Sequence, residues 1–231
     1  MREKLLILGL LVNASFALEC NEALLRKHLP FMPQDVKIAK AREVFGICEY
    51  VVEDRGSVFT LYASEDFALA GAMFSKGQPV SRESVEEVQK ERMKNLLGKL
   101  SALHVAEIKG SQDKVMYMIS DPDCPFCEGA KNKVVELAKK NNWTLRLVWF
   151  PLPIHPQAYD KAVSFVCEKR TWEDYLKGLY GTSKCEEGIK KVSESVDTLN
   201  VSGVSGTPLF VFSDGTIIQG ANMKALEEKM K

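Results

Sequence analysis

Residues 115–138 read VMYMISDPDCPFCEGAKNKVVELA, and this stretch decides the fold. Its first part, residues 115–119, is a short apolar run of the kind that forms a buried strand. After a polar turn, two cysteines three positions apart open a helical pattern that continues through residues 131–140. From residue 114 onward predicted strands and helices alternate, which is typical of an α/β domain.

The two cysteines, Cys124 and Cys127, have the spacing and the position of a redox pair. Residues three apart share a face of a helix, where their sulfurs can close a disulfide. Unpaired N–H groups and the helix dipole stabilise a thiolate at a helix start, so Cys124 is the predicted nucleophile. Pro125 suits the first helical turn because it has no N–H. Cys127 lies one turn further in, where it can attack a mixed disulfide on Cys124.

Three other interpretations of this pair compete with redox activity. A zinc site needs a second pair of ligands at short spacing, and neither the other cysteines nor the three histidines supply one. A c-type haem needs histidine at position 128, which is Glu128. A purely structural disulfide at this spacing stays open as the alternative. The sequence therefore predicts no metal and no cofactor.

Thr207-Pro208 stands directly before a predicted strand at residues 209–212. Proline suits the first residue of a strand because it cannot donate a ladder hydrogen bond. On local grounds alone a trans peptide bond is expected, since only about one X–Pro bond in twenty is cis. Asp214-Gly215 then predicts a hairpin between residues 209–212 and 216–219.

The first 17 residues have the order of a signal peptide. Arg2 and Lys4 precede an apolar run over residues 5–12, and small residues follow at Ser15 and Ala17. The run is shorter than the roughly 20 apolar residues of a membrane span, and a buried N-terminal helix is the alternative. Six cysteines fit an oxidising compartment if the chain is exported. The 31 basic residues balance 31 acidic ones, so no nucleic-acid partner is indicated.

Residues 18–80 form a block rich in strand-forming residues and without a redox pair. Its predicted strands cover residues 42–52, 57–62 and 67–74. A small sheet of this size exposes edge strands, and pairing of these edges across a two-fold axis would satisfy them. We therefore expect a homodimer.

The helical pattern over residues 84–100 separates this block from the α/β block. Ser84 with Glu87 has the spacing of a capping box, which predicts the start of the helix. We interpret residues 81–103 as a linker helix and residues 104–231 as the catalytic domain. The alternative is an ordinary packed helix within one continuous domain.

Taken together, the predicted signal peptide, strand-rich block, helix, cysteine pair and GVSGTP at residues 203–208 resemble the DsbC/DsbG family of periplasmic thiol–disulfide interchange proteins. The likeness covers nearly the whole mature chain, and it is more specific in the second half. It implies an α+β N-terminal dimerisation domain joined by a linker helix to a thioredoxin-like α/β domain with a helical insertion. Thr207-Pro208 would then be a cis-proline loop that faces Cys124 and binds a substrate segment through its backbone.

The resemblance also implies a function. A V-shaped homodimer would isomerise the disulfides of misfolded exported proteins in the periplasm, and a DsbD-type membrane reductant would keep its cysteine pair reduced. Two alternatives stay open, a DsbG-like reductase of sulfenylated cysteines and a holdase chaperone without redox chemistry. The Pro-Phe dipeptide between the cysteines differs from the Gly-Tyr of the isomerase branch and the Pro-Tyr of the DsbG branch, so it does not choose between them.

A second departure concerns proton transfer. Met118 stands where thioredoxins carry a buried acid, so the sequence identifies no side chain that could serve the proton of Cys127. Asp121 and Asp123 are expected to cap the helix that starts at the cysteine pair. The three histidines show no ligand spacing and are expected at the surface or at helix caps.

The resemblance implies a structural disulfide between Cys167 and Cys185. Such a bridge would close about 18 residues and stabilise the fold by roughly 3 kcal/mol; free buried thiols are the alternative. Cys20 and Cys48 are then left over, and a bridge between them is the natural hypothesis. Pairing of Cys20 across a dimer is the alternative.

Overall fold

The computed structural model describes residues 18–54 and 56–231. The predicted signal peptide at residues 1–17 lies outside these residues. Across the described part of the chain, no helix is both long enough and apolar enough to span a membrane.

The N-terminal block is an antiparallel sheet in the order β1-β2-β3-β4, with one helix packed on β3. Its elements are α1 (Glu22–His28), β1 (Lys37–Val44), β2 (Ile47–Asp54), β3 (Ser57–Ala63) and β4 (Ala68–Ala70). Leu25 and Tyr50 are fully buried in the core between helix and sheet. Asn21 begins α1, because its side-chain oxygen accepts a hydrogen bond from the backbone N–H of Leu24 at 3.0 Å.

The single strands predicted over residues 42–52 and 67–74 are both wrong. The first is divided between β1 and β2 by a turn at Phe45 and Gly46, which have positive φ. Over the second range the extended run is interrupted as well. The chain forms β4 and then a separate two-stranded hairpin of β5 (Phe74–Ser75) and β6 (Gln78–Pro79). Gly71 lies between them with a φ of +150°, a conformation that side-chain-bearing residues rarely adopt. The extended run therefore ends there, although the residues around it favour a strand.

Helix α2 (Arg82–Leu103) starts before the predicted capping box. Ser81 is the N-cap residue. Ser84 lies in the first turn of the helix, where its side chain is buried and does not cap the helix. Four apolar side chains in the C-terminal half of α2 are buried against the second sheet: Met93, Leu96, Leu100 and Leu103. This half of the helix therefore contributes to the core of the α/β block as well as connecting the two blocks.

The second block has a five-stranded sheet in the order β11-β10-β8-β9-β7. Its strands are β7 (Ala106–Ile108), β8 (Ser111–Ser120), β9 (Trp143–Trp149), β10 (Leu209–Phe212) and β11 (Ile217–Gln219). Its helices are α3 (Pro125–Lys140), α4 (Ala158–Cys167), α5 (Trp172–Leu176), α6 (Glu186–Val201) and α7 (Met223–Met230). Strands β8 and β9 are parallel and joined by α3, while β10 and β11 form the predicted antiparallel hairpin. This is a thioredoxin-like α/β domain, with α4 to α6 inserted between β9 and β10.

The central strand β8 separates two apolar layers, because successive side chains point to opposite faces of a sheet. Val115, Tyr117 and Ile119 pack towards α2. Met116 and Met118 pack towards the layer that contains residues of α3, α4, α5 and α7. Ser120 lies on this second face by the same alternation, which places a polar side chain beside the start of α3.

The two blocks meet where a turn of the N-terminal sheet reaches the end of α6. The Arg92 guanidinium donates hydrogen bonds to the backbone oxygens of Gly56, at 2.8 Å, and of Ser202. Gly56 and Gly203 both have positive φ, +84° and +71°, and pack backbone against backbone. A Cβ added to Gly203 would lie 1.7 Å from the Gly56 oxygen, so this contact requires glycine.

Candidate active site

Cys124 occupies the N-cap position of α3, as the cysteine spacing predicts. Its backbone is extended, with φ −75° and ψ 118°, and Pro125 takes the first helical position. The Cys124 N–H donates to the Asp121 backbone oxygen at 3.2 Å, and the Cys124 backbone oxygen accepts from the Glu128 N–H at 3.0 Å. Cys124 is buried, with 4% of its surface exposed, and it stands at the helix start, where the first N–H groups have no partner within the helix.

Cys127 lies one turn further along α3 and is completely buried. This burial raises the pKa of Cys127 to about 12. The side chains of Ser120 and Thr207 and the backbone of Asp121 favour the Cys127 thiolate and act to lower this pKa, so they oppose the rise. Both thiols are free in this structure. Both thiols are thus shielded from solvent, Cys127 completely and Cys124 almost completely.

The Thr207-Pro208 peptide bond is cis, and the loop that contains it lies against the cysteine pair. The Cys124 thiol donates a hydrogen bond to the Thr207 backbone oxygen at 3.5 Å. The loop thus reaches the Cys124 sulfur from a position 83 residues away along the chain.

A group of buried polar side chains lies beneath the pair, and the sequence interpretation did not identify it. The Ser120 and Tyr175 hydroxyls share a hydrogen bond of 2.7 Å. The Lys131 ammonium donates to the Tyr175 backbone oxygen at 2.8 Å and lies 2.5 Å from a Glu128 carboxylate oxygen. Two signals for this group are present in the sequence. Ser120 alternates with Met116 and Met118 in β8, and Lys131 follows Cys127 by four residues on one face of α3.

The expectation that Asp121 caps α3 is wrong. Its carboxylate is buried and instead ties together the loops on both sides of the site. One oxygen accepts from the Asp123 N–H at 2.7 Å, and the other from the Leu152 N–H at 2.6 Å and His155 Nδ1 at 2.8 Å. His155, expected at the surface or at a cap, is instead the hydrogen-bond partner of this buried aspartate. The Asp123 carboxylate contacts the Lys161 ammonium and does not cap the helix either.

The other four cysteines form two disulfides in the structure. Cys167 and Cys185 are bonded across 18 residues and join the end of α4 to the start of α6. Cys20 and Cys48 are bonded across 28 residues and join the segment before α1 to β2. Within the described part of the chain, no three His, Cys, Asp or Glu side chains are grouped so that they could hold a metal ion.

A thiol at a helix start and a second, completely buried thiol three residues on can together take up or release the two electrons of one disulfide. This chemistry defines a class of enzymes, the thiol–disulfide oxidoreductases.

Residues 102–230 match the family model described as a thioredoxin-like domain, and the chain belongs to this thioredoxin-like family. The chain is similar to a disulfide interchange protein from Neisseria gonorrhoeae, with 29% identity over 54% of this chain and 91% of that one, at a TM-score of 0.45. It is similar to Helicobacter pylori DsbG, with 20% identity over 82% and 97% of the two chains and a TM-score of 0.45. It is also similar to the catalytic domain of Proteus mirabilis ScsC, with 15% identity over 61% and 97% and a TM-score of 0.47. No curated protein matches the chain.

Proposed function

We propose that this protein is an exported thiol–disulfide interchange protein that isomerises or reduces incorrect disulfides in other exported proteins. The observation that carries the proposal is the asymmetry of the cysteine pair. Cys124 is the N-cap residue at the helix start and lies against the Thr207 oxygen with 4% of its surface exposed, whereas Cys127 lies one turn into the helix with none exposed. Cys124 is therefore the nucleophile and Cys127 the residue that ends a stalled reaction.

In the first step the Cys124 thiolate attacks one sulfur of a substrate disulfide, and the other substrate sulfur leaves as a thiolate. Isomerisation follows when a different substrate thiolate attacks the mixed disulfide and releases Cys124. Reduction follows when Cys127 attacks instead, which leaves an oxidised cysteine pair and a reduced substrate. Thr207 and Pro208 would hold the substrate segment through backbone hydrogen bonds, because their loop lies beside the attacking sulfur.

We place a homodimer interface on the N-terminal block, residues 18–80. Several large apolar side chains are exposed there: Phe59 at 40%, Phe67 at 48%, Leu69 at 50% and Phe74 at 63%. The edge strand β4 has only three residues, and its outer side is free to pair with a second copy. Two such blocks would hold two catalytic domains, residues 104–231, around one misfolded chain, with residues 81–103 as the linker.

The proposed location is the periplasm, and the proposed partner that keeps the pair reduced is a membrane reductant of the DsbD type. Two disulfides outside the reactive pair fit an oxidising compartment. Net re-reduction is needed there because each reduced substrate disulfide leaves Cys124 and Cys127 oxidised.

The test is recovery of a scrambled multi-disulfide substrate by the full mature chain. We expect Cys124→Ser to abolish recovery and Cys127→Ser to accumulate mixed disulfides with the substrate. These two variants are matched controls, since each removes one thiol of the pair. Recovery by Cys124→Ser equal to that of the parent protein would refute the redox function and favour a holdase. Light scattering that shows a monomer would refute the dimer.

A further inference from the structure

The second step of exchange poses a problem of charge. Cys127 has to become a thiolate before it can attack, yet it has no exposed surface. A buried charge without hydrogen-bond donors is strongly disfavoured. Met118, which is also completely buried, supplies no ionisable group on the adjacent strand. The Asp121 carboxylate is already engaged by three N–H donors.

Ser120 is the side chain that the fold brings to this sulfur from β8. It has no exposed surface, and it ends the strand whose Met116 and Met118 pack in one core cluster with Cys127 and Tyr175. The Ser120 side chain also acts to lower the pKa of Cys127. A serine hydroxyl has one proton to donate and two lone pairs that can accept. If another group donates a hydrogen bond to the Ser120 oxygen, the Ser120 proton is free to point elsewhere.

Tyr175 provides that donor. Its hydroxyl lies 2.7 Å from the Ser120 oxygen, and among the described residues it has no other hydrogen-bond partner. Burial raises the pKa of Tyr175 well above its usual value, so the phenol keeps its proton. The ring is fixed by edge-on packing against Trp149, at 5.2 Å between centroids, and by the Lys131 ammonium, 4.9 Å from its centroid. A phenol held in this way donates to Ser120, which leaves the Ser120 proton pointing at Cys127.

We propose that Ser120, oriented by Tyr175, is the hydrogen-bond donor that stabilises the Cys127 thiolate in the second step. The inference rests on the proposed exchange function and adds two residues to the same site. In this proposal Ser120 acts on the Cys127 sulfur, and Tyr175 is a positioning residue that acts through Ser120.

The step balances as follows for a mixed disulfide on Cys124. Cys127 loses its proton, its thiolate attacks the Cys124 sulfur, and a bond forms between the two cysteines. The bond between Cys124 and the substrate breaks, and the substrate sulfur leaves with the electron pair and takes up a proton. Over the two steps together, the substrate disulfide is reduced by two electrons and the cysteine pair is oxidised by two. Ser120 and Tyr175 keep their own protons throughout.

The test uses the full chain and the aromatic disulfide dithiobis(nitrobenzoate), which releases one coloured thiolate in each step. The first phase reports attack by Cys124, and the second reports attack by Cys127. We expect Ser120→Ala and Tyr175→Phe each to leave the first phase unchanged and to slow the second about tenfold at fixed pH. A tenfold loss of thiolate corresponds to about one pKa unit, so the second-phase pH profile should move up by about one unit. In the Ser120→Ala background, Tyr175→Phe should add nothing, because Tyr175 acts through Ser120.

The chain offers a matched control in Tyr159 and Ser193, whose hydroxyls are also 2.7 Å apart but exposed on the surface. Tyr159→Phe should leave both phases unchanged. A second phase in Tyr175→Phe that matches this control in rate and pH profile would overturn the proposal. Additive effects of Ser120→Ala and Tyr175→Phe would also overturn it. Tyr175→Phe keeps the whole ring and decides the question alone if Ser120→Ala does not fold. Failure of the proposed function gives a different result, a first phase that persists in Cys124→Ser.

Discussion

Truncation of the chain at the predicted domain boundary tests how far α2 belongs to the catalytic domain. A fragment that starts at residue 104 lacks Met93, Leu96 and Leu100, which are at most 5% exposed and cover one face of the sheet. Complete burial of one such side chain is worth about 1.5–3 kcal/mol. Loss of all three removes roughly 5–9 kcal/mol, as much as the whole stability of many domains, about 5–15 kcal/mol. We therefore expect the fragment 104–231 to be largely unfolded and the fragment 82–231 to fold.

Urea denaturation followed by circular dichroism measures both fragments, and a point variant tests the same reasoning in the intact chain. Leu100→Ala should lower the free energy of unfolding by about 3–5 kcal/mol, as in other buried leucine truncations. Lys99→Ala, at the exposed neighbouring position, should change it by less than about 0.5 kcal/mol. A cooperative transition of 104–231 near that of 82–231 would refute the reasoning.

Three further predictions concern stability. Replacement of both Cys167 and Cys185 by alanine should lower the free energy of unfolding by about 3 kcal/mol, measured in urea without reductant; free thiols at both positions in the parent protein would contradict this. Gly203→Ala should lower the free energy of unfolding by at least about 2 kcal/mol, because the positive φ disfavours a side chain and the added Cβ would strike the Gly56 oxygen. Gly206→Ala, with open space around it, should be nearly neutral in the same assay. Hydrogen bonds from the backbone N–H groups of residues 182 and 183 lower the pKa of Glu168 from 4.5 to about 2. Its stabilising contribution is therefore complete above pH 4.5 and is lost as the pH falls to about 2. The difference in urea midpoint between the parent protein and Glu168→Gln should shrink over that range. A difference that grew would contradict the assignment.

The sequence was sufficient for features that depend on neighbouring residues. Cys124 at the helix start follows from a strand, a turn and a helical pattern within residues 115–138, and the hairpin follows from Asp214-Gly215. In each case the physical cause is local, a backbone conformation or a run of side chains with one periodicity. The start of α2 was predicted less well. Ser84 has the side chain of a capping residue, but it is buried and lies within the helix, which begins after Ser81.

The polar contacts of the site could not be predicted in this way, since they join residues far apart in the sequence. Ser120 and Tyr175 are 55 residues apart, and Asp121 and His155 are 34 apart. Each pair forms only because the inserted helices and the loop after β9 pack against the end of β8. In a sequence, an aspartate just before a helix is as consistent with a cap as with a buried hydrogen-bond partner. Only the packing of the folded protein distinguishes the two roles.

The contact between Gly56 and Gly203 has a consequence for the comparison of sequences. Two backbones this close exclude a side chain at either position. Any sequence in which the N-terminal block packs against the end of α6 in this way must therefore have glycine at both positions. A larger residue at one of them cannot be compensated by a change at the other, which is already the smallest residue. The two glycines, together with an arginine at position 92, therefore form a three-residue signature by which the same junction can be recognised in other chains.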